Sequence, residues 1–232
     1  MKLFRRSGKA HSNLELISIH IPKTAGTSFR NILKDVYGDQ NVVRLDIPNN
    51  VELNKKKFEG RSLDPEIKVI HGHFSYKRLT EAFEIPEDIP VITWLRDPAT
   101  RVISNYYYLD MILRKELDEE RKGLNILLKM EKSLLEYAST KVNRNRIWKF
   151  MKGIAIEDLF FVGLTEHYEE DLEYLGKKLG WKRHRVFKHN PTAKKPEVDQ
   201  ETIDRIKELN SEDYKIYNRA LELRKERINR IT

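Results

Sequence analysis

Apolar residues follow two rhythms along this chain. Short, nearly continuous apolar runs alternate with longer stretches in which apolar positions recur every three or four residues. Five runs read as buried strands: Glu15–Ile21, Asn41–Ile47, Ile67–His71, Pro90–Leu95 and Leu159–Leu164. The periodic stretches predict helices over Thr27–Tyr37, Ser75–Phe83, Pro98–Met151 (broken near Gly123 and Ser139), Glu166–Leu179 and Asp199–Arg230. The last is expected to break at Asn210–Ser211, with Ser211 capping the final helix. Pro22–Gly26 reads as a turn, and the polar stretch Asn49–Glu66 as loop or irregular helix. Strands alternating with helices predict an α/β fold with a central, mostly parallel sheet of about five strands and helices on both faces. Ligands in such folds bind beyond the carboxyl ends of the strands. No internal repeat, low-complexity block or Pro/Gly linker divides the chain. Residues 14–232 are expected to form one domain, preceded by a flexible segment, 1–13.

Composition narrows the class. The chain has 232 residues, 39% hydrophobic and 34% charged, enough for one core under a heavily charged surface. The mean hydropathy is −0.66, and no apolar run approaches the roughly 18 residues of a membrane-spanning helix. The basic first residues lead into no signal-peptide apolar core, so the expected location is cytoplasmic, the alternative being a chain that lacks a natural membrane anchor. With no cysteine there is no disulfide framework, thiolate metal site or cysteine nucleophile. The net charge of +8 suits anionic partners, although a lysine-rich solvated surface gives the same number.

Chemistry concentrates first at His20-Ile-Pro-Lys-Thr-Ala-Gly-Thr-Ser-Phe29, which joins a buried strand to a helix. Gly26 lets backbone amides approach an anion, and the helix start adds free N–H donors and a positive dipole end. Lys23 brings a mobile charge; Thr24, Thr27 and Ser28 bring hydroxyls. The segment departs from the nucleoside-triphosphate loop, because Lys23 precedes the glycine by three positions. No acidic residue ends the fourth strand as a magnesium anchor; that strand runs into Arg96.

The loop resembles the 5′-phosphosulfate loop of the carbohydrate sulfotransferases, in particular the group of the heparan sulfate 2-O-sulfotransferases. That resemblance implies a P-loop-like sulfotransferase fold and 3′-phosphoadenosine-5′-phosphosulfate (PAPS) as co-substrate, with no metal. It implies that Lys23 contacts the phosphosulfate and that Gly26, Thr27 and Ser28 hold the 5′-phosphate, with Pro22, Thr24 and Ala25 completing the loop.

A second block, Trp94-Leu-Arg-Asp-Pro-Ala-Thr-Arg-Val-Ile-Ser-Asn-Tyr106, starts where the fourth strand ends. Asp97 is placed as an N-cap with Pro98 at the first helical position. Arg101 is either paired with Asp97 across one turn or a ligand-binding residue. Arg96 stands where an α/β site opens, and a guanidinium holds phosphate oxygens with two parallel bonds. The block is similar to the family pattern, which implies that Arg96 and Ser104 bind the 3′-phosphate of PAPS.

The third feature is Ile70-His-Gly-His-Phe-Ser75. Residues two apart in a strand project to one side, so His71 and His73 face one pocket, with Gly72 leaving room for a ligand or a neighbouring backbone. Two histidines without a third ligand make a poor metal site. A hydrogen-bonded structural pair is one reading and a general base near pH 7 the other. The 2-O-sulfotransferases carry a similar His-Gly-His, which implies a base at one position and a supporting role at the other; His73 is the favoured base. His20 is expected to point into the sheet packing.

Other similarities are weaker. Phe161-Val-Gly-Leu-Thr-Glu-His167 resembles a core strand and helix start, with Thr165 as cap and Glu166 structural. Asn145–Gly153 resembles an Asn…Arg…Gly element in which Arg146 or Lys149 replaces the arginine. His189–Pro196 resembles a loop that closes over the nucleotide and offers Lys194 and Lys195. Asp213 and Tyr217 read as packing. The expected function is sulfuryl transfer from PAPS to a hydroxyl acceptor by in-line displacement, with a histidine base and without nucleic acid. The family resemblance implies a saccharide as that acceptor. The alternatives are a nucleotide-dependent kinase and a non-catalytic polyanion-binding protein.

Overall fold

A computed structural model describes residues 13–47, 50–60, 62–118, 132–182 and 196–230. Its centre is a sheet of β1 (Leu16–Ile19), β2 (Val42–Asp46), β3 (Glu52–Leu53), β4 (Lys56–Lys57), β5 (Val69–His73), β6 (Val91–Leu95) and β7 (Phe161–Leu164). The strand order is β4-β3-β2-β5-β1-β6-β7. The five longer strands run parallel and match the five apolar runs. β3 and β4 form an antiparallel hairpin on the β2 edge, inside the stretch expected to be loop or irregular helix. Its two-residue turn, Asn54–Lys55, takes positive φ at both positions (50° and 67°), the geometry that suits a tight hairpin. Strands of two residues are too short to leave an alternation in the sequence.

The parallel strands are apolar on both faces because both faces are covered. Ile17, Ile19, Leu45, Ile70 and Leu95 pack on one side, with helices α2 (Tyr76–Ala82), α5 (Arg146–Phe150) and α8 (Ser211–Asn229) contributing to that cluster. Leu16, Val42, Val69, Ile92 and Trp94 pack on the other, under α1 (Gly26–Tyr37) and α6 (Tyr168–Lys178). A third cluster, Ala99, Val102, Ala138 and Ile206, joins α3 (Pro98–Asp118), α4 (Leu134–Ser139) and α7 (Gln200–Leu209).

The long helical region after Pro98 is several helices. Ser133 and Glu136 form a capping box that starts α4, and Asn145 in the left-handed region (φ 49°) starts α5. The break expected near Gly123 lies outside the described residues. The break at Asn210 is present, but Ser211 already belongs to α8 rather than capping it. Asn210 is the junction instead: its Nδ2 donates to the Ile206 carbonyl at 2.8 Å, and its Oδ1 accepts from the Asn145 amide at 3.0 Å.

Candidate functional site

Three chain segments leave the sheet at one edge, from the neighbouring strands β5, β1 and β6. The loop after β1 is held in an unusual backbone conformation. Lys23 and Ala25, neither of them glycine, take positive φ (72° and 63°). Alternating handedness of this kind turns successive amides toward one point, the arrangement that cradles an anion, and the strain persists only where the surroundings impose it. The Thr24 hydroxyl, expected among the phosphate ligands, donates to the Ile21 carbonyl at 2.8 Å and is buried, so it shapes the loop. Pro22 is partly buried, and Thr27 and Ser28 open the first turn of α1, exposed and half-buried respectively. The Lys23 ammonium lies over the Tyr108 ring, 3.7 Å from its centroid.

Arg96 leaves β6 half-buried, with Nη1 at 3.5 Å from the Lys23 carbonyl. Burial lowers its pKa, while Glu166 and Asp97 act to raise it. Ser104 on α3 is completely buried, and its hydroxyl has no hydrogen-bond partner among the described residues. A buried hydroxyl without a partner is costly unless a ligand supplies one. Asp97 caps α3 by accepting from the Thr100 amide at 2.8 Å, and accepts from the Tyr214 hydroxyl at 2.8 Å. Arg101 therefore does not pair with Asp97. It is buried, its Nη2 lies 3.5 Å from the Asn143 carbonyl, and burial lowers its pKa to about 10.

The histidines sit one strand away. The register pairs Asp46 of β2 with His73 of β5, and Leu45 with Gly72. A Cβ on Gly72 would lie 1.7 Å from the Leu45 carbonyl oxygen, so the space Gly72 leaves is filled by backbone. That close approach sets the Asp46 carboxylate beside His73, with Nδ1 and Oδ1 2.7 Å apart. Arg44 Nη2 is also 3.3 Å from Nδ1, but Nδ1 cannot donate to one neighbour and accept from the other. The shorter contact to a carboxylate prevails, so Nδ1–H donates to Asp46 and Nε2 is the free nitrogen. Arg44 Nε donates to Asp46 Oδ2 at 2.6 Å. Burial acts to raise the Asp46 pKa, yet the hydrogen bonds from His73 and Arg44 outweigh it and hold the carboxyl well below the usual range. Asp46 and Arg44 were not among the residues the sequence singled out. The available signal was an acid at the carboxyl end of the predicted second strand, two strands from the phosphate loop.

His71 is placed differently. It is 3% exposed, its Nδ1 shares a 2.9 Å hydrogen bond with the Ser18 hydroxyl, and the ring is hydrogen-bonded to the Gly26 backbone. Burial and the charge of His73 push its pKa down to about 3. The native ring therefore takes a proton only near pH 3, whereas the unfolded one does so near 6.5. This contribution to stability is complete above about pH 6.5 and is lost as pH falls toward about 3. The urea midpoint should drop between pH 7 and pH 5, and His71→Asn should flatten that slope; an equal slope in both proteins would assign it to other groups.

His20 does not point into the sheet packing; its ring stacks on His71 and lies tilted against His73. The Phe150 ring stands edge-on to His73 at 6.5 Å. The Asn145–Gly153 element is fixed from beneath. The Asp213 carboxylate accepts from the Ile147 and Trp148 amides at 3.0 and 2.8 Å, so Asp213 is a buried cap as well as packing. Arg146 lies against Phe150, and Lys149 donates to the carbonyls of Lys141 and Arg144. Glu166 accepts from the Asp97 amide at 2.9 Å, and Thr165 donates to Glu166 rather than capping a helix. Lys194 and Lys195 lie outside the described residues. Segments 1–12 and 183–195 hold nine Lys and Arg and no Asp or Glu, so the positive balance of the chain resides there. Among the described residues no His/Cys/Asp/Glu group of three has metal-site geometry, and no helix is long and apolar enough to cross a membrane.

A sequence model described as Sulfotransfer_2, Sulfotransferase family, matches residues 10–219. No curated protein matches the sequence. Two solved structures are similar. Mouse sulfotransferase SULT7A1, complexed with PAP, is 12% identical with a TM-score of 0.45, covering 85% of this chain. This chain spans 65% of that protein, just under two thirds of it. A sulfotransferase from Alicyclobacillus acidocaldarius is 16% identical with a TM-score of 0.40, covering 86% of this chain and 96% of its own.

Proposed function

The chain belongs to the sulfotransferase family, and from that premise we propose that it transfers a sulfuryl group from PAPS to a saccharide hydroxyl with His73 as general base. One observation carries the base assignment: Nδ1 of His73 is 2.7 Å from the Asp46 carboxylate, which leaves Nε2 free one strand from the phosphate loop. A hydroxyl is a weak nucleophile at neutral pH, and a positioned base is worth roughly 10²–10⁴-fold. Asp46 fixes the tautomer and stabilises the imidazolium that forms. His71 supports Ser18 and Gly26 and does not take the proton.

The donor fits the residues present. The loop amides around Gly26 and the first turn of α1 suit the 5′-phosphosulfate, and the unpartnered Ser104 hydroxyl with Arg96 suits the 3′-phosphate. Lys194 is a further 3′-phosphate contact in this reading. When bound, PAPS supplies an activated sulfuryl group whose leaving group is 3′-phosphoadenosine-5′-phosphate. His73 Nε2 takes the acceptor proton as the acceptor oxygen bonds to sulfur. The bond from sulfur to the bridging phosphate oxygen breaks in line, and Lys23 neutralises the charge that gathers on that oxygen. Arg96 and Ser104 set the donor's register.

The saccharide acceptor rests on the loop and His-Gly-His similarity to carbohydrate sulfotransferases. It is tested by offering ³⁵S-labelled PAPS to desulfated glycosaminoglycans, tyrosine peptides and simple alcohols. Label in the polysaccharide is expected; label only in the peptide or the alcohol would overturn the acceptor class. Arg96→Ala should raise the donor KM by about 10–100-fold with a smaller change in kcat, the loss of one charge-assisted phosphate contact. An unchanged KM would remove Arg96 from the donor site.

A further inference from the structure

One histidine has no part in that proton transfer. His20 follows β1, and its backbone amide donates to the Gly72 carbonyl at 2.8 Å. Its ring stacks on His71 (centroids 5.0 Å apart, planes at 14°) and lies tilted against His73 (4.6 Å, 31°), so His20 joins the three imidazoles in one column. The same ring meets the phosphate loop. A Cβ on residue 26 would lie 1.9 Å from His20 Nε2 and 2.1 Å from Cε1. Nε2 is closed to solvent and has no hydrogen-bond partner among the described residues. A histidine kept only for its hydrogen bonds would not leave a nitrogen unmade. This one is used through its faces and its edge.

We propose that His20 is a positioning residue for the transfer step: its ring, wedged between Gly26 and His73, fixes the distance and angle between the donor loop and the base. The proposal rests on the sulfotransferase reading for its purpose, but the contact it describes exists without donor. His73 is anchored through Nδ1 alone, and that hydrogen bond leaves the ring free to tilt. His20 covers one face, and Phe150 stands edge-on at 6.5 Å. A displacement of about 1 Å at a reacting group costs on the order of 10²-fold in rate. Burial drives the His20 pKa well down, with His71 and His73 adding to the effect. The column therefore holds a neutral ring beside His73 when that residue takes its proton. Gly26 is required for the same reason, since any side chain there displaces the His20 ring.

The test reads the His73 ring by long-range ¹H–¹⁵N spectra, free and saturated with 3′-phosphoadenosine-5′-phosphate, in wild type, His20→Ala and His20→Phe. The Nδ1–H tautomer of His73 should persist in all three proteins, since Asp46 holds it. The Cδ2–H and Cε1–H signals of the His73 ring should be sharp in wild type, broadened by exchange in His20→Ala, and sharp again in His20→Phe, which keeps a flat ring. Sharp His73 ring signals in the alanine variant, or broadened ones in the phenylalanine variant, overturn the proposal. If the alanine variant does not fold, the phenylalanine variant decides alone by the same criterion. Failure of wild type to bind the nucleotide would count against the donor reading only, because the free-protein spectra still report the column.

Discussion

His73→Ala is expected to lower sulfuryl transfer by roughly 10²–10⁴-fold, the range of general-base catalysis, while the affinity for 3′-phosphoadenosine-5′-phosphate changes by no more than about twofold. The separation follows from placement. His73 ends β5 beside Asp46, whereas the groups suited to the donor phosphates lie on the loop after β1 and on α3. Asp46→Asn should reproduce most of the loss, because an amide at that position can stabilise the wrong tautomer and carries no charge to balance the imidazolium. Since Asp46 is held well below the usual carboxylate range, it stays ionised through mildly acidic pH. Steady-state transfer and calorimetry on the same preparations check both parts. Full activity in His73→Ala would move the base elsewhere in the column.

Lys23→Ala should reduce kcat by roughly 10²–10³-fold, the usual cost of deleting one preorganised group that meets developing charge. The donor KM should rise less, because charge on the bridging oxygen is greatest in the transition state. Lys23 is positioned on both sides. Its backbone is fixed at φ 72°, and its ammonium rests on the Tyr108 ring. Tyr108 belongs to the same helix as Ser104, one turn further on, so α3 carries both Ser104 and the ring on which the Lys23 ammonium rests. A Lys23→Ala enzyme whose kcat is unchanged and whose KM alone rises would assign Lys23 to ground-state binding.

The parallel core of the fold was legible because burial on both faces leaves an unbroken apolar run, as at Val91–Leu95. The edge hairpin was not, since Glu52–Leu53 and Lys56–Lys57 form it through turn geometry and not through an apolar pattern. Within the site, the loop after β1, Arg96 and the His71–His73 pair could be placed from the sequence because each stands at a strand end that the pattern marks, whereas Ser104, two turns into α3, was singled out only by the family resemblance. Asp46 was hidden for a physical reason. Its pairing with His73 depends on β2 lying next to β5, a neighbour relation set by a crossover that local periodicity does not encode. The stacking of His20 was hidden likewise. A histidine after an apolar run reads as sheet packing until the approach of Gly26 from α1 turns its ring toward the loop. Thr24 shows the reverse error: its hydroxyl suited a phosphate by residue type, but the left-handed turn brings it back onto the Ile21 carbonyl.

The proposed donor site has two phosphate subsites, one at the loop after β1 and one at Arg96 and Ser104. Calorimetric binding of 3′-phosphoadenosine-5′-phosphate in metal-free buffer, compared with AMP and with magnesium ATP, tests it most directly. Tight binding that is lost for AMP and in Arg96→Ala is the predicted result. Equal affinity for AMP, or a preference for magnesium ATP, would contradict it and return the chain to the kinase reading.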